Sequence, residues 1–243
     1  MLAHPKRQRL LPLAWAISFP AVWKHQAKIT KVNMDSVKPP YILLCNHNAF
    51  LDFKVTTAAV FPHRANYIVA IDGFTSPTKT GFASREWLLR VVGCICKRKF
   101  TNDAILVRHL ARVVKNGDIS VLYPEARYSL CGTNAVLPES LGKLCKLLRV
   151  PVVTLIMHGH HINAPVWNLP DRGVKPTEAE MKLLFSADEL AAASVEDINA
   201  AILDIIARRP CTVAQSVAGA AGIFLRPWVN QGVFFLRGRG CCV

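Results

Sequence analysis

The chain has 243 residues, of which 51% are hydrophobic and 19% are charged. This length allows one large domain with a substantial core, and the composition excludes a disordered chain. The formal net charge is +14, which favours a polyanionic partner, either nucleic acid or anionic lipid, or an anionic substrate. The eight cysteines form no Cys-x-x-Cys pair, so a zinc or dithiol site has little support. We therefore interpret the thiols as reduced and the compartment as cytoplasmic.

The first predicted unit, residues 1–37, combines basic residues with an apolar run. Lys6, Arg7 and Arg9 precede the stretch 10–23, LLPLAWAISFPAVW, which is too short to span a bilayer. Basic residues beside Trp, Phe and Leu favour a helical segment lying on the membrane surface. Ordinary packing on the domain and a cleaved signal peptide are the alternatives. We expect a segment that docks on an anionic membrane surface, and hence a peripheral protein on the cytoplasmic side of the membrane.

The second unit, residues 38–209, alternates short apolar strands with helices. In chain order, the pattern predicts strand 41–45, helix 52–61, strand 65–71, helix 84–92, strand 94–97, helix 102–114, strand 119–123, helix 141–148, strands 151–157 and 181–185, and helix 194–208. This alternation predicts an α/β fold with a mostly parallel sheet flanked by helices. In such sheets, functional sites gather at the carboxyl ends of the strands.

The last unit, residues 210–243, is a basic and apolar tail to which we assign no structure. No acidic residue occurs from Ile205 to Val243. The stretch 211–225 is rich in Ala and Gly but too short to span a bilayer. A membrane-contacting appendage and an unpacked end both fit this composition.

A histidine and a carboxylate follow the first strand of the domain, in the sequence CNHNAFLD at 45–52. On one continuous helix, His47 and Asp52 would lie about 140° apart, so they meet only if His47 lies in the turn and Asp52 on the first helical turn. That arrangement predicts a base held by a carboxylate at the carboxyl end of a strand. Taken alone, the spacing is a weak signal.

Two other predicted strand ends carry polar side chains. The strand 119–123 is followed by Pro-Glu-Ala-Arg-Tyr-Ser at 124–129, and the strand 94–97 runs into Lys97-Arg98-Lys99. The first group either builds a site or forms a surface ion pair. The second could hold a phosphate, although a solvated charge run is the usual explanation for such a cluster.

In this order and spacing, the motifs resemble those of the glycerolipid acyltransferase family typified by lysophosphatidic acid acyltransferase. The resemblance covers about residues 38–160, and the conjunction of its blocks is more specific than any one block. The first block, Asn-His-x4-Asp after an apolar strand, matches Asn46, His47 and Asp52. The second block is a Gly, an apolar strand and then an Arg, which matches residues 93–98. The third block is Phe-Pro-Glu-Gly-Thr-Arg-Ser, which matches residues 123–129. The fourth block is an apolar strand opening with Pro, which matches residues 150–153.

The resemblance implies direct acyl transfer from coenzyme A or acyl carrier protein to a lysophospholipid hydroxyl. The expected acceptor is 1-acyl-sn-glycerol-3-phosphate, which would give phosphatidate, with the acyl thioester as co-substrate and no cofactor or metal. His47 is the expected general base, and Asp52 holds its imidazole in the right tautomer. Backbone N–H groups near the helix start are the expected oxyanion donors. The expected substrate-binding residues are Asn46, Lys97, Arg98, Glu125, Arg127 and Ser129.

The third block departs from the family pattern. Ala126 replaces Gly, and the arginine comes one place early, with Tyr128 where the family has Arg. We assign the acceptor phosphate to Arg127, since Tyr128 has no charge, and expect Glu125 to orient that arginine. In the alternative, Arg98 or a neighbouring lysine binds the phosphate and Arg127 only braces Glu125.

Other functions and other sites also fit parts of the sequence. A thioester hydrolase could use the same histidine with water as the acceptor. A basic nucleic-acid-binding protein would explain the charge, but no nucleic-acid-binding motif is found, so we expect no such partner. Cys45 could be a nucleophile, although a buried strand cysteine is the favoured alternative. The sequence His158-Gly159-His160-His161 could bind a metal, but lining the mouth of the site is the favoured interpretation.

Overall fold

The structure is a computed structural model that describes residues 11–24, 27–49, 52–70, 89–90, 92–97, 104–125, 137–160 and 177–207. Its helices are α1 (Leu11–Lys24), α2 (Asp52–Ala59), α3 (Ala104–Lys115), α4 (Ser140–Leu148), α5 (Ala187–Ala192) and α6 (Val195–Ala207). Its strands are β1 (Lys28–Val32), β2 (Ile42–Cys45), β3 (Ala65–Ala70), β4 (Ile95–Lys97), β5 (Ile119–Leu122), β6 (Val152–His158) and β7 (Glu178–Phe185).

The described strands form one sheet in the order β1-β7-β6-β2-β5-β3-β4. All neighbouring pairs are parallel except β6 and β7, which are antiparallel. The predicted mostly parallel α/β sheet with flanking helices is therefore confirmed. Because β2 lies between β5 and β6 and is parallel to both, the carboxyl ends of these three strands meet at one edge of the sheet.

The central strand β2 is buried on both faces because its four residues are all apolar. Alternate side chains point to opposite faces of a strand, so Leu43 and Cys45 join one core cluster while Ile42 and Leu44 join the other. The first cluster is covered by α2 and, through Val22, by α1. The second is covered by apolar residues at helical spacing on α3, α4 and α6, together with Leu190 of α5.

The N-terminal helix α1 packs against α2 of the domain. The ring of Trp15 meets the ring of Phe61 edge to face at 4.7 Å, and Phe19 meets the same ring at 5.4 Å. Packing on the domain, one of the alternatives drawn from the sequence, is therefore observed for this helix. Membrane docking stays a prediction, and among the described helices none is long and apolar enough to cross a bilayer.

Two elements were not predicted from the sequence. Strand β1, within the predicted N-terminal unit, pairs with β7 at the edge of the sheet, so the sheet begins before residue 38. None of the residues in its sequence KITKV is fully buried, and the apolar pattern is too short to predict a strand. Helix α5 has only six residues, and Ser186 and Glu189 form a capping box at its start. Of the helix predicted over 84–92, only residues 89, 90 and 92 are described, and the tail 210–243 lies outside the described residues.

Candidate active site

The candidate site lies at the sheet edge where β2, β5 and β6 end. The segment after β2 carries Asn46, His47 and Asn48, the segment after β5 carries Glu125, and the segment after β6 carries His160. Asp52 is the first residue of α2, which follows β2. Three adjacent parallel strands thus deliver polar side chains to one place, as the fold class predicts.

Asp52 is the centre of the cluster and is fully buried. Its Oδ2 accepts hydrogen bonds from His47 Nδ1 at 3.0 Å, Asn48 N at 2.7 Å and Ala49 N at 2.9 Å. Its Oδ1 accepts from His160 Nδ1 at 2.5 Å. These donors, together with the amino end of α2, compensate a carboxylate that has no contact with water.

The same contacts decide the charge of Asp52. Burial raises the pKa of its carboxyl group, but hydrogen bonds from His160, His47 and the Ala49 backbone, with the nearby His160 charge, outweigh burial. The pKa of Asp52 therefore lies below its usual value, and the carboxylate is ionised at neutral pH. An ionised carboxylate only accepts hydrogen bonds, so His47 must carry its ring hydrogen on Nδ1 in this contact.

His47 is held so that its other ring nitrogen can accept a proton. With Nδ1–H donating to Asp52, the neutral imidazole has its lone pair on Nε2. The ring stacks on Tyr123, with 4.3 Å between ring centroids, and the His47 side chain is 18% exposed. The Tyr123 hydroxyl lies 3.1 Å from Thr56 Oγ1 on α2, which fixes the stacking ring. The predicted pairing of His47 with Asp52 is present in the structure.

Glu125 contacts the backbone next to the histidine. Its Oε1 accepts a hydrogen bond from His47 N at 3.3 Å, and the side chain is buried. The sequence suggested a partner in Arg127, but Arg127, Ser129 and Arg98 all lie outside the described residues. Lys97 is the last residue of β4, which is the third strand from β2 in the sheet. With about 4.8 Å between neighbouring strands, β4 lies roughly 14 Å from β2. The substrate-binding roles of these residues stay predictions.

Asn46 has a different position from the one the resemblance implied. Its side chain is fully buried, its Nδ2 donates to the carbonyl of Met157 at 2.8 Å, and its Oδ1 accepts from Met157 N at 2.7 Å. The Nδ2 of Asn48 donates to the same carbonyl at 2.7 Å. In the structure, Asn46 thus joins the end of β2 to β6 and has no surface with which to contact a substrate.

The expected oxyanion donors near the start of α2 are engaged elsewhere. The N–H groups of Asn48 and Ala49 donate to Asp52, that of His47 donates to Glu125, and that of Asp52 donates to the carbonyl of Ala49. The expectation is therefore wrong for these four groups, because three of them donate to buried carboxylates and the fourth to a backbone carbonyl. Residues 50 and 51 lie outside the described residues.

Cys45 does not serve as a nucleophile in this arrangement. It is fully buried, and burial is the main cause that raises the pKa of its thiol far above the usual value. The Thr56 hydroxyl donates to its sulfur at 3.9 Å. A thiol that stays protonated and has no exposed surface cannot attack a thioester.

His160 is the site residue that the sequence did not identify. The sequence predicts a loop at the mouth of the site for His158–His161, with metal binding as an alternative. In the structure His160 is buried against Asp52, and the described residues contain no group of three such side chains arranged to hold a metal ion. The one available signal was its place just after β6, at the carboxyl edge of the sheet.

A histidine held by a buried carboxylate lies at the carboxyl edge of a mostly parallel sheet, and an imidazole held in this way can accept a proton. The chain belongs to the acyltransferase family: the family model described as Acyltransferase matches residues 26–158. The family match confirms the resemblance drawn from the motifs and makes the protein an acyltransferase.

A crystal structure supports the fold assignment. The 1-acyl-sn-glycerophosphate (LPA) acyltransferase PlsC from Thermotoga maritima is 15% identical to this chain, with a TM-score of 0.54. The match covers 83% of this chain and 81% of that one. Among curated proteins, no sequence matches this chain.

Proposed function

We propose that the protein transfers a fatty acyl group from an acyl thioester to the hydroxyl group of a glycerol-phosphate-type acceptor. The donor is acyl-coenzyme A or acyl carrier protein, and the preferred acceptor is 1-acyl-sn-glycerol-3-phosphate, with phosphatidate as product. One observation carries this proposal: His47, partly exposed at the sheet edge, has its Nδ1 held 3.0 Å from the buried carboxylate of Asp52. Membership of the acyltransferase family and a fold like that of PlsC support it.

In the proposed reaction, His47 Nε2 takes the proton from the acceptor hydroxyl as its oxygen attacks the thioester carbonyl carbon. A carbon–oxygen bond forms, and the tetrahedral intermediate then collapses with cleavage of the carbon–sulfur bond. The proton held by the imidazolium goes to the departing thiolate, which leaves as the free thiol. Asp52 stabilises the imidazolium during these steps because its negative charge is already in place.

The acceptor phosphate requires a cation near the base. By resemblance we assign Arg127, which follows Glu125 by two positions in the sequence. The Glu125 side chain is bonded to the backbone of His47, so the segment that carries Arg127 starts beside the base. A guanidinium group fits a phosphate with two parallel hydrogen bonds, which a lysine cannot form.

The protein is proposed to act on the cytoplasmic side of a membrane, as a peripheral enzyme. Aromatic side chains on α1, on α2 and in the turn after α2 support this location, since Trp23, Phe19, Phe53 and Phe61 are all exposed. Aromatic rings of this kind insert into the interfacial region of a bilayer, where a lysophospholipid resides. Helix α2 also carries Asp52 at its first residue, so one helix joins this surface to the carboxylate that holds the proposed base.

The direct test is incubation of the purified full chain with radiolabelled acyl-coenzyme A and a panel of acceptors. The panel contains lysophosphatidate, a lysophospholipid without a free phosphate monoester, and glycerol 3-phosphate. We expect labelled phosphatidate from lysophosphatidate, with loss of the product in His47→Ala. Transfer to another acceptor would correct the proposed substrate, and failure of every acceptor would overturn the proposal.

Hydrolysis of the thioester is the second candidate, because the exposed face of His47 could equally activate water. The same incubation separates the two functions, since hydrolysis releases labelled free fatty acid whether or not an acceptor is present. Release that does not decrease when lysophosphatidate is added would favour the hydrolase.

A further inference from the structure

His160 has no part in the proton transfer just described, yet it is built into the site. Its side chain is 1% exposed, so it cannot contact a substrate, and its Nδ1 lies 2.5 Å from Asp52 Oδ1. The preceding Gly159 has a φ of 75°, a left-handed conformation that glycine adopts without strain. The chain thus turns as it leaves β6 and places the imidazole of His160 over the carboxylate.

The two oxygens of Asp52 have different partners. Oδ2 accepts from His47, Asn48 and Ala49, which are all local in sequence. Among the described contacts, Oδ1 has a single partner, His160, which is 108 residues away. Three local donors therefore hold Oδ2, while a residue from another strand end holds Oδ1.

We propose that His160 is a positioning residue of the active site, which fixes the plane of the Asp52 carboxylate so that Oδ2 stays directed at His47 Nδ1. The proposal rests on the proposed function, in which His47 is the general base. It assigns to this chain two histidines on one carboxylate with separate tasks: the exposed one accepts the substrate's proton, and the buried one orients the carboxylate. A carboxylate free to rotate would hold the imidazole less firmly, and a misplaced base transfers a proton more slowly.

The contact also affects the charge of Asp52. The hydrogen bond from His160 and its charge are among the causes that lower the pKa of Asp52, so removing His160 raises that pKa. Within the part of the chain that the structure describes, the titratable groups near this pair are His47, Glu125 and Tyr123 at the sheet edge and Cys45 behind it. We therefore expect Asp52 to titrate at higher pH when His160 is lost.

Two variants of the full-length protein separate positioning from packing. His160→Leu fills the cavity with apolar atoms and removes the donor, whereas His160→Asn places an amide N–H close to the position of Nδ1. His63→Leu is the matched control, since His63 is an exposed histidine in the turn after α2. Loss of a hydrogen bond to a charged acceptor predicts a roughly ten- to hundredfold fall of kcat in His160→Leu, with little change in KM.

The expected results are a low kcat in His160→Leu, recovery of most of the kcat in His160→Asn, and wild-type behaviour in His63→Leu. Two outcomes would overturn the proposal: a folded His160→Leu variant with wild-type kcat, or equal losses in the Leu and Asn variants. If both substitutions only lower the melting temperature, His160 is a packing residue.

A measurement without substrate distinguishes failure of this proposal from failure of the proposed function. Carbon-13 NMR of the aspartate carboxyl groups follows the titration of Asp52 directly, with Asp52→Asn used to assign the signal. The titration of Asp52 is expected at higher pH in His160→Leu than in the wild type. An unchanged titration contradicts the contact itself, whereas a shifted titration in a protein without acyl transfer contradicts only the proposed reaction.

Discussion

The sheet edge around His47 and the surface formed by α1 and α2 lie close in the chain but are built in opposite ways. At the sheet edge, the side chains of Asn46, Asn48 and Asp52 are buried and held by hydrogen bonds, whereas the His47 ring is partly exposed. On the α1–α2 surface, contacts are between aromatic rings, and Trp23 is 85% exposed. The difference teaches that the chemistry depends on fixed geometry, whereas contact with a bilayer requires exposed apolar area and tolerates imprecise placement.

The largest effect on this contrast is expected from a substitution of the base itself. His47→Ala should lower acyl transfer by a factor on the order of 10²–10⁴, because a positioned general base is lost. The fold should be kept, since the side chain lies in a turn and is partly exposed. Single-turnover rates with labelled acyl-coenzyme A, compared with circular dichroism of the variant, check both statements. Near wild-type turnover in His47→Ala would contradict a mechanism based on this histidine.

A smaller and more selective effect is expected at the acceptor phosphate. Arg127→Ala should raise the KM for lysophosphatidate while changing the KM for the acyl donor much less, and Arg127→Lys should restore only part of the binding. Acceptor titrations of both variants measure this. Arg98→Ala is the matched comparison: if it alone shows the acceptor defect, the phosphate belongs to Arg98 and not to Arg127.

A substitution on the aromatic surface should weaken binding to lipid vesicles and leave the rate of acyl transfer unchanged. Trp23→Ser should weaken sedimentation with vesicles that contain anionic lipid, because an exposed ring is removed from the docking surface. Binding should also weaken as salt rises, since exposed charges are screened beyond about 8 Å at physiological ionic strength. Turnover of a short-chain, water-soluble acyl donor and acceptor should stay at the wild-type level.

Leu203→Ser is the control for this experiment. Leu203 is 49% exposed on α6, a helix that covers the other core cluster. Equal loss of vesicle binding in both variants would mean that the effect is unspecific. A point variant is preferable to deletion of the segment, because Val22 of α1 packs against the core and Trp15 meets Phe61.

The smallest expected effect is on acid stability. The folded-state pKa of Asp52 lies below the ordinary value of 3.8, so the ionised carboxylate stabilises the fold fully above that value, and this contribution is lost as the pH falls through the lower folded-state pKa. Asp52→Asn should therefore reduce the free energy of unfolding near neutral pH, with a difference from the wild type that shrinks below about pH 4. Urea unfolding at a series of pH values measures the difference. A difference independent of pH would show that the charge of Asp52 contributes no stability.

Much of the fold was predictable because it depends on local patterns. The apolar runs at 41–45, 119–123 and 151–157 indicated strands, which the structure shows as β2, β5 and β6. The Ser194-x-x-Asp197 cap indicated the start of α6, where Ser194 Oγ accepts from Asp197 N at 3.0 Å. Strand β1 was not predicted because an exposed edge strand lacks an apolar run. The antiparallel direction of β7 was also not predicted, because it depends on the connection between β6 and β7 and not on the composition of either strand.

The sequence by itself determined the pairing of His47 with Asp52, because the two residues are five apart and a turn followed by a helix start brings them together. Only the tertiary structure decided which distant groups join them. Glu125 lies 78 residues from His47, His160 lies 108 residues from Asp52, and Met157 lies 111 residues from Asn46. These contacts exist because β5 and β6 flank β2 in the sheet, and the order of strands is set by how the whole chain packs its apolar faces.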